Sequence, residues 1–215
     1  MTKINRQENS YDINKNMEEN KIFLEKYLIV IAGLPGTGKT TTANKLYEKL
    51  ESYEVIHQNE IRRIQGIKRM PRTQEKILRL IDKMTGDYLK DEKGVIFESI
   101  NRYLFRRHQM YGIASCCGKQ VLTLECICSP QESKRRIKAR PKMDKLISDP
   151  RNPKIYEKML SKFENISLDF KHPGEDHVSY ITYDTENQKV YSHVISRGMN
   201  PFIKKIKELL LLKHE

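Results

Sequence analysis

Gly33-Leu34-Pro35-Gly36-Thr37-Gly38-Lys39-Thr40 stands between a short apolar run, Leu28 to Ala32, and an amphipathic segment, Thr40 to Leu50. It carries the full Gly-x-x-x-x-Gly-Lys-Thr pattern of a phosphate-binding loop. The apolar run reads as a buried strand and the following segment as a helix. The loop therefore sits where backbone N–H groups and the positive end of a helix dipole face the same anion. In that setting Lys39 reaches the β and γ phosphates of a nucleoside triphosphate and Thr40 holds magnesium. Gly33, Leu34, Pro35, Gly36, Thr37, Gly38, Lys39, Thr40 and Thr41 make up the expected nucleotide-binding set.

Outward from this loop the same alternation repeats. Ala43, Leu46, Tyr47 and Leu50 recur at helical spacing, and Tyr53 to His57 reads as a second strand. A basic loop, Arg62 to Arg72, leads to a second helix marked by Ile77, Leu80, Ile81, Met84 and Tyr88. Gly94 to Glu98 is a compact buried strand ending in a carboxylate, followed by a helix around Leu104 to Tyr111 and a strand over Gln120 to Cys128. Pro130 opens a helix that runs to Arg140, where Pro141 stops it. Asn152 and Pro153 open another; Val178 to Tyr183 is a fifth strand, and Pro201 to Lys213 a last helix whose apolar end, Leu209 to Leu212, is expected on the sheet. Glu186 to Asn200 reads equally as hairpin or helix. Strands alternating with helices imply an α/β three-layer sandwich, a mostly parallel sheet of about five strands with its active site at the carboxyl ends of the strands. Residues 1–26 are expected as a polar tail or loosely docked helix, and residues 27–215 as a single domain.

Composition narrows the classes. The 215 residues are 38% hydrophobic, enough for a real core, and no run approaches the roughly 18 apolar residues of a membrane span. The polar start has no apolar centre of a secretory signal, so a cytoplasmic protein without membrane contact is expected. Cys116, Cys117, Cys126 and Cys128 lack zinc-site spacing and are expected as buried free thiols. Forty basic against twenty-eight acidic residues leave a charge of +12, which draws phosphorylated or nucleic-acid partners without specifying them. A GTPase needs Asn-Lys-x-Asp, which is absent, and Asp91-Glu-Lys-Gly94 precedes a strand where a GTPase would place such a motif after one. A remodelling ATPase would need a second helical domain. A small phosphotransferase fits best. Nothing in the sequence sets the oligomeric state.

From about Tyr27 to Thr185 the chain resembles the P-loop kinases that include the 5′-polynucleotide kinase domain, the zeta-toxin-like kinases and many small kinases. The matching motifs are the Gly33 to Thr40 loop with Thr41 and Thr42, His57-Gln-Asn-Glu-Ile-Arg62, and Val95-Ile-Phe-Glu-Ser-Ile-Asn101 with Arg106 and Arg107. Arg136 and Arg140, Ser148-Asp149 and Tyr183-Asp-Thr185 complete the set. The resemblance implies a P-loop NTPase fold with a small basic lid over about 134–149. It also implies transfer of the γ-phosphoryl group of ATP, with Mg2+, to a hydroxyl acceptor, most simply a nucleotide or polynucleotide 5′ end. Small-molecule or sugar-nucleotide acceptors and a non-catalytic ATP- or RNA-binding module are the alternatives.

Residue by residue, the resemblance makes Arg136 and Arg140 lid arginines, Arg62 an acceptor-orienting arginine, and Asn101 and Arg106 further acceptor contacts. Where the family places an aspartate base, this chain has Asn59, which orients a hydroxyl but cannot take its proton. Glu60 beside it, favoured over Glu98, would serve as base, or catalysis is lost; a loose transition state tolerates a weak base. Glu98 matches the position of the carboxylate that holds magnesium through water, so its metal and base duties are not separable by sequence. His57 and His108 are read as structural. Tyr103, Tyr111 and Tyr156 are read as packing residues in preference to base-stacking ones.

Overall fold

The computed structural model describes residues 26–66, 71–140, 151–171 and 176–212. The expected N-terminal tail up to residue 25, and Pro141, Ser148 and Asp149 of the expected lid, lie outside the described residues.

β1 (Leu28–Ala32) is the central strand, and all five of its side chains are fully buried. A continuous apolar run with no polar alternation is what a parallel strand covered on both faces requires. Each buried aliphatic side chain there contributes about 1.5–3 kcal/mol relative to exposure. On one side β1 pairs in parallel with β3 (Gly94–Glu98), which pairs with β2 (Tyr53–His57). On the other side it pairs with β4 (Val121–Ile127), then β5 (Val178–Asp184). The antiparallel β6 (Lys189–Val194) closes that edge, giving the order β2-β3-β1-β4-β5-β6. Among the described residues the sheet thus has six strands. The ambiguous stretch after Tyr183 is a hairpin, because Asp184 Oδ1 accepts the backbone N–H groups of Glu186 and Asn187 and turns the chain back.

α1 (Lys39–Tyr47) and α7 (Asn200–Leu211) cover one face. Ala43 and Leu46 of α1 pack with Phe202, Ile203 and Ile206 of α7 on Ile29, Ile31, Leu122 and Leu124. Lys45 ties the two helices by donating to the terminal carbonyls of α7 at Leu210 (2.9 Å) and Leu212 (2.6 Å), satisfying acceptors the helix cannot. Leu209 and Leu210 reach the sheet as expected, whereas Leu211 and Leu212 are exposed, since only one side of a helix can face the core.

α3 (Pro71–Lys90) and α4 (Leu104–Cys116) cover the other face through Ile77, Ile81, Met110 and Tyr111, against Leu28, Val30 and Phe97. A short α2 (Gln58–Ile64) occupies the first part of what the sequence presents as a basic loop. It forms because Ile61 and Arg62 are buried, with Arg62 Nη2 donating to Gln74 Oε1 of α3 at 2.5 Å. α5 (Pro130–Lys138) starts with Ser129 accepting from the Glu132 N–H and with proline at its first turn. α6 (Lys154–Leu160) and a 3-10 turn (Ile166–Lys171) lead into β5. Within that turn Asp169 is fully buried and holds Arg107 of α4 through two 2.6 Å contacts. All four cysteines are free, and only Cys126 is fully buried; Cys116 is exposed.

Candidate active site

The Gly33 to Thr40 loop joins the carboxyl end of β1 to α1, as its pattern implies. Its glycines are required by packing. Gly36 has φ +86°, and a Cβ there would lie 2.4 Å from the Ser133 carbonyl oxygen of α5. A Cβ on Gly33 would lie equally close to the carbonyl of Cys126. Lys39 Nζ donates to the Leu34 carbonyl at 2.8 Å, and Thr37 Oγ1 donates to the same oxygen at 2.9 Å, so the loop is folded around the ammonium group. Thr40 and Thr41 are exposed at the start of α1, while Lys39 is only 8% exposed. Burial pushes the Lys39 pKa down, and the neighbouring Glu98 carboxylate pulls it back up.

Glu98 ends β3, in register with Ile31 of β1, and is buried. Strand alternation decides its direction: Phe97 packs with α3 and α4, so Glu98 points to the α1 side. Arg140, two residues beyond α5, lies close enough for its charge to act on both Glu98 and Lys39. Burial lowers its pKa, the Glu98 carboxylate raises it, and its charge is felt by Lys39. Lys39, Glu98 and Arg140 thus form one electrostatic centre, assembled from three separate parts of the chain.

His57, set aside as structural in the sequence, belongs to this centre. Its Nδ1 lies 3.2 Å from Glu98 Oε2 and its Nε2 lies 2.9 Å from Asn44 Oδ1 of α1. The signal available in the sequence was its place as the last residue of β2, directly before Gln58 and Asn59.

Other expected site residues have different placements. Arg136 donates to Glu132 at 2.6 Å and to Thr185 Oγ1 at 2.7 Å, and the Thr185 hydroxyl contacts the Thr37 carbonyl at 3.0 Å. It therefore braces α5 and the turn after β5 against the phosphate loop. Asn59 is exposed on the first turn of α2. Glu60 is clasped by both guanidinium arms of Arg63, which hold its pKa down; His57 is close enough to add to that effect. Arg62 is buried against α3. Asn101, at φ +47°, donates from Nδ2 to the Ile31 carbonyl at 2.8 Å and fixes the loop after β3 against β1. Arg106 is 5% exposed, bonded to Asp82 of α3 at 2.5 Å and lying over the Phe97 ring. It takes part in the α3–α4 packing, where a guanidinium beside a helix-borne aspartate is held by charge. Tyr111 and Tyr156 are buried packing residues. No helix among the described residues is long and apolar enough to cross a membrane.

The family described as an AAA domain (AAA_33) matches residues 28–165, more than half of the chain and the stretch that contains the loop, Glu98 and Arg140. The chain belongs to this family. Several solved proteins share its fold. An inferred kinase of Chloroflexus aurantiacus j-10-fl is 18% identical, with a TM-score of 0.61, over 87% of this chain and 99% of that one. Kti12 of Chaetomium thermophilum, solved with ADP-AlF3, is 18% identical with a TM-score of 0.54, over 84% and 95%. A Pnkp1/Rnl/Hen1 RNA repair complex gives 18% identity and a TM-score of 0.50 over 65% of this chain. The chain spans less than half, 47%, of the repair-complex chain it matches. No curated protein is similar enough to match.

Proposed function

We propose that the protein is an ATP-dependent phosphotransferase that moves the γ-phosphoryl group onto a hydroxyl, with a nucleotide or polynucleotide 5′ end as acceptor. The observation that carries this reading is the convergence of Lys39, Glu98 and Arg140 beside an intact phosphate loop. Phosphoryl transfer asks mainly for positioning and for cations around the transferring group, and a buried lysine with a half-buried arginine near a carboxylate supply both. Lys39 leaves the Leu34 carbonyl to meet phosphate. Arg140 provides the planar fork that suits a transferring phosphoryl group.

The donor set fits magnesium: the Thr40 hydroxyl is exposed at the loop's end and Glu98 offers a hard carboxylate. When bound there, the ion would neutralise charge on the β and γ phosphates. Glu60 and Asn59 on α2, Arg62 behind them and Asn101 after β3 define the acceptor side, with Glu60 or Glu98 taking the acceptor proton. The +12 charge and the RNA repair complex among the structural neighbours support a nucleic-acid end over a neutral metabolite.

Transfer of labelled γ-phosphate to a 5′-hydroxyl oligonucleotide, with sugars and sugar nucleotides in parallel, tests the reading. Labelling of the oligonucleotide, lost on raising salt and in Lys39→Ala, is the expected result. Labelling of a sugar alone overturns the acceptor. One observation favours a second reading, a nucleotide-binding module without catalysis: Asn59 occupies the register of the family's aspartate base. ATP binding without transfer to any acceptor, with transfer restored by Asn59→Asp, would establish that module instead.

A further inference from the structure

A cavity lies on the opposite side of the sheet from α1. Leu124 and Cys126 of β4 face the α1–α7 core, so the intervening Glu125 points the other way, into a space of about 510 Å3. Glu125 of β4, Tyr180 and Thr182 of β5, and Tyr191 and His193 of β6 line it, with Phe163 closing the side after α6. That volume is in the range of small-molecule sites. Tyr191 is 46% exposed, which leaves the cavity open to solvent.

Three features of the lining select a ligand. The first is charge. The chain carries +12, yet among the described residues this cavity is lined by one carboxylate and by no lysine or arginine. The nearby guanidinium of Arg107 is spent on Asp169, with both side chains fully buried. The second is aromaticity. The Tyr180 and His193 rings stack at 4.5 Å, and Tyr191 and Phe163 add further rings to the wall. The third is the state of Glu125. Its carboxylate accepts the Tyr180 hydroxyl, and burial pushes its pKa above the usual carboxylate range. The adjacent polar groups are mutually engaged, with Thr182 Oγ1 lying 2.8 Å from His193 Nε2.

We propose that this cavity binds a small organic ammonium compound, an aliphatic amine or diamine. An ammonium group beside Glu125 pairs with the carboxylate and lies among aromatic faces, the combination that recognises organic cations. A phosphate or carboxylate ligand would meet Glu125 with no lysine or arginine among the described lining residues to offset it. A purely apolar ligand would strand the carboxyl group away from water. The site is separate from the phosphate loop, and the inference does not depend on the kinase reading.

Isothermal titration of the full chain with 1,4-diaminobutane, against butan-1-ol and butanoate as neutral and anionic counterparts, tests it. Saturable binding of the diamine alone is expected. A loss of at least about tenfold in Glu125→Gln should follow, since a hydrogen bond between charged groups is replaced by a neutral one. Tyr180→Leu, which removes a ring and keeps the carboxylate, should weaken binding severalfold; thermal melts establish that both variants are folded. Nα-acetyl-lysine amide distinguishes a free amine from a lysine side chain of another protein. Binding of that probe without the diamine, equal binding of all three four-carbon probes, undiminished binding in Glu125→Gln, or no binding of the diamine would each overturn the proposal.

Discussion

The His57 imidazole bridges Glu98 and α1, with Nδ1 3.2 Å from the carboxylate and Nε2 2.9 Å from Asn44 Oδ1. It fixes where the β3 carboxylate points relative to the phosphate loop. In the proposed reaction His57 is a positioning residue, since the group it holds is the one that meets metal or acceptor. His57→Ala should lower kcat by about ten- to a hundredfold, because small misplacement of a reacting group is costly, while ATP affinity stays within about twofold. His57→Gln, which keeps a polar reach to Glu98, should recover part of the loss. Equal loss in both variants, or a loss confined to ATP KM, would leave His57 with a merely structural role.

Gly36 tests the contact between the phosphate loop and α5. In Gly36→Ala the new Cβ would meet the Ser133 carbonyl at 2.4 Å on a backbone with φ +86°. The loop or α5 must move, and Arg140 lies just past that helix. Gly66 is the matched control, also left-handed at φ +59° but with nothing within 4 Å of a built Cβ. Gly66→Ala should cost only about 1 kcal/mol of stability, the ordinary left-handed penalty. Gly36→Ala should lose at least about tenfold in ATP affinity, equivalent to about 1.4 kcal/mol. Nucleotide titration and thermal melts of the two variants make the comparison.

How far the sequence reaches is visible in particular elements. β2 and β3 have the bounds read from their composition; β3 is a continuous run buried on both faces, while β2 is the half-buried edge strand beside it. α2 was hidden because its seven residues include a buried arginine, whose partner Gln74 lies on another helix. The phosphate loop carried its own geometry, whereas the electrostatic coupling of Arg140 and Glu98 joins residues far apart in sequence. Arg106 and Arg107 look alike in the sequence; one turns to Asp82 and the other to Asp169, and neither partner is local. Local patterns reach strands and loops, while long-range charge pairing emerges only with the packing.

Arg107 and Asp169 make the strongest stability prediction. Both are fully buried, and Asp169 also accepts the Tyr111 hydroxyl at 2.7 Å while Tyr111 contacts Thr123 at 2.8 Å. Asp169→Ala leaves a guanidinium in the core without its counter-ion, which should cost about 3–5 kcal/mol and lower Tm by roughly 10 °C. The paired change Arg107→Met with Asp169→Leu removes both charges and should be less harmful than the single change. Thermal denaturation of both proteins decides between a pair needed for stability and one that is only costly to break.

Glu125 gives a pH dependence whose sign follows from its raised pKa. Between the unfolded value near the ordinary 4.5 and the higher folded value, the native state holds more protons on this group than the unfolded chain. Stability from Glu125 is therefore greatest at low pH and falls as pH rises through that window. The groups acting on it are Tyr180, Arg107 and His193, which lower its pKa, and Asp169, which together with burial raises it. Glu125→Gln removes the titration and can still accept the Tyr180 hydroxyl. Relative to wild type it should gain stability as pH rises from about 4 to 7 and show no gain at the acid end. Chemical denaturation of both proteins across that range gives the difference, and a difference that is flat or opposite in sign would mean that Glu125 is ionised in the folded protein without cost.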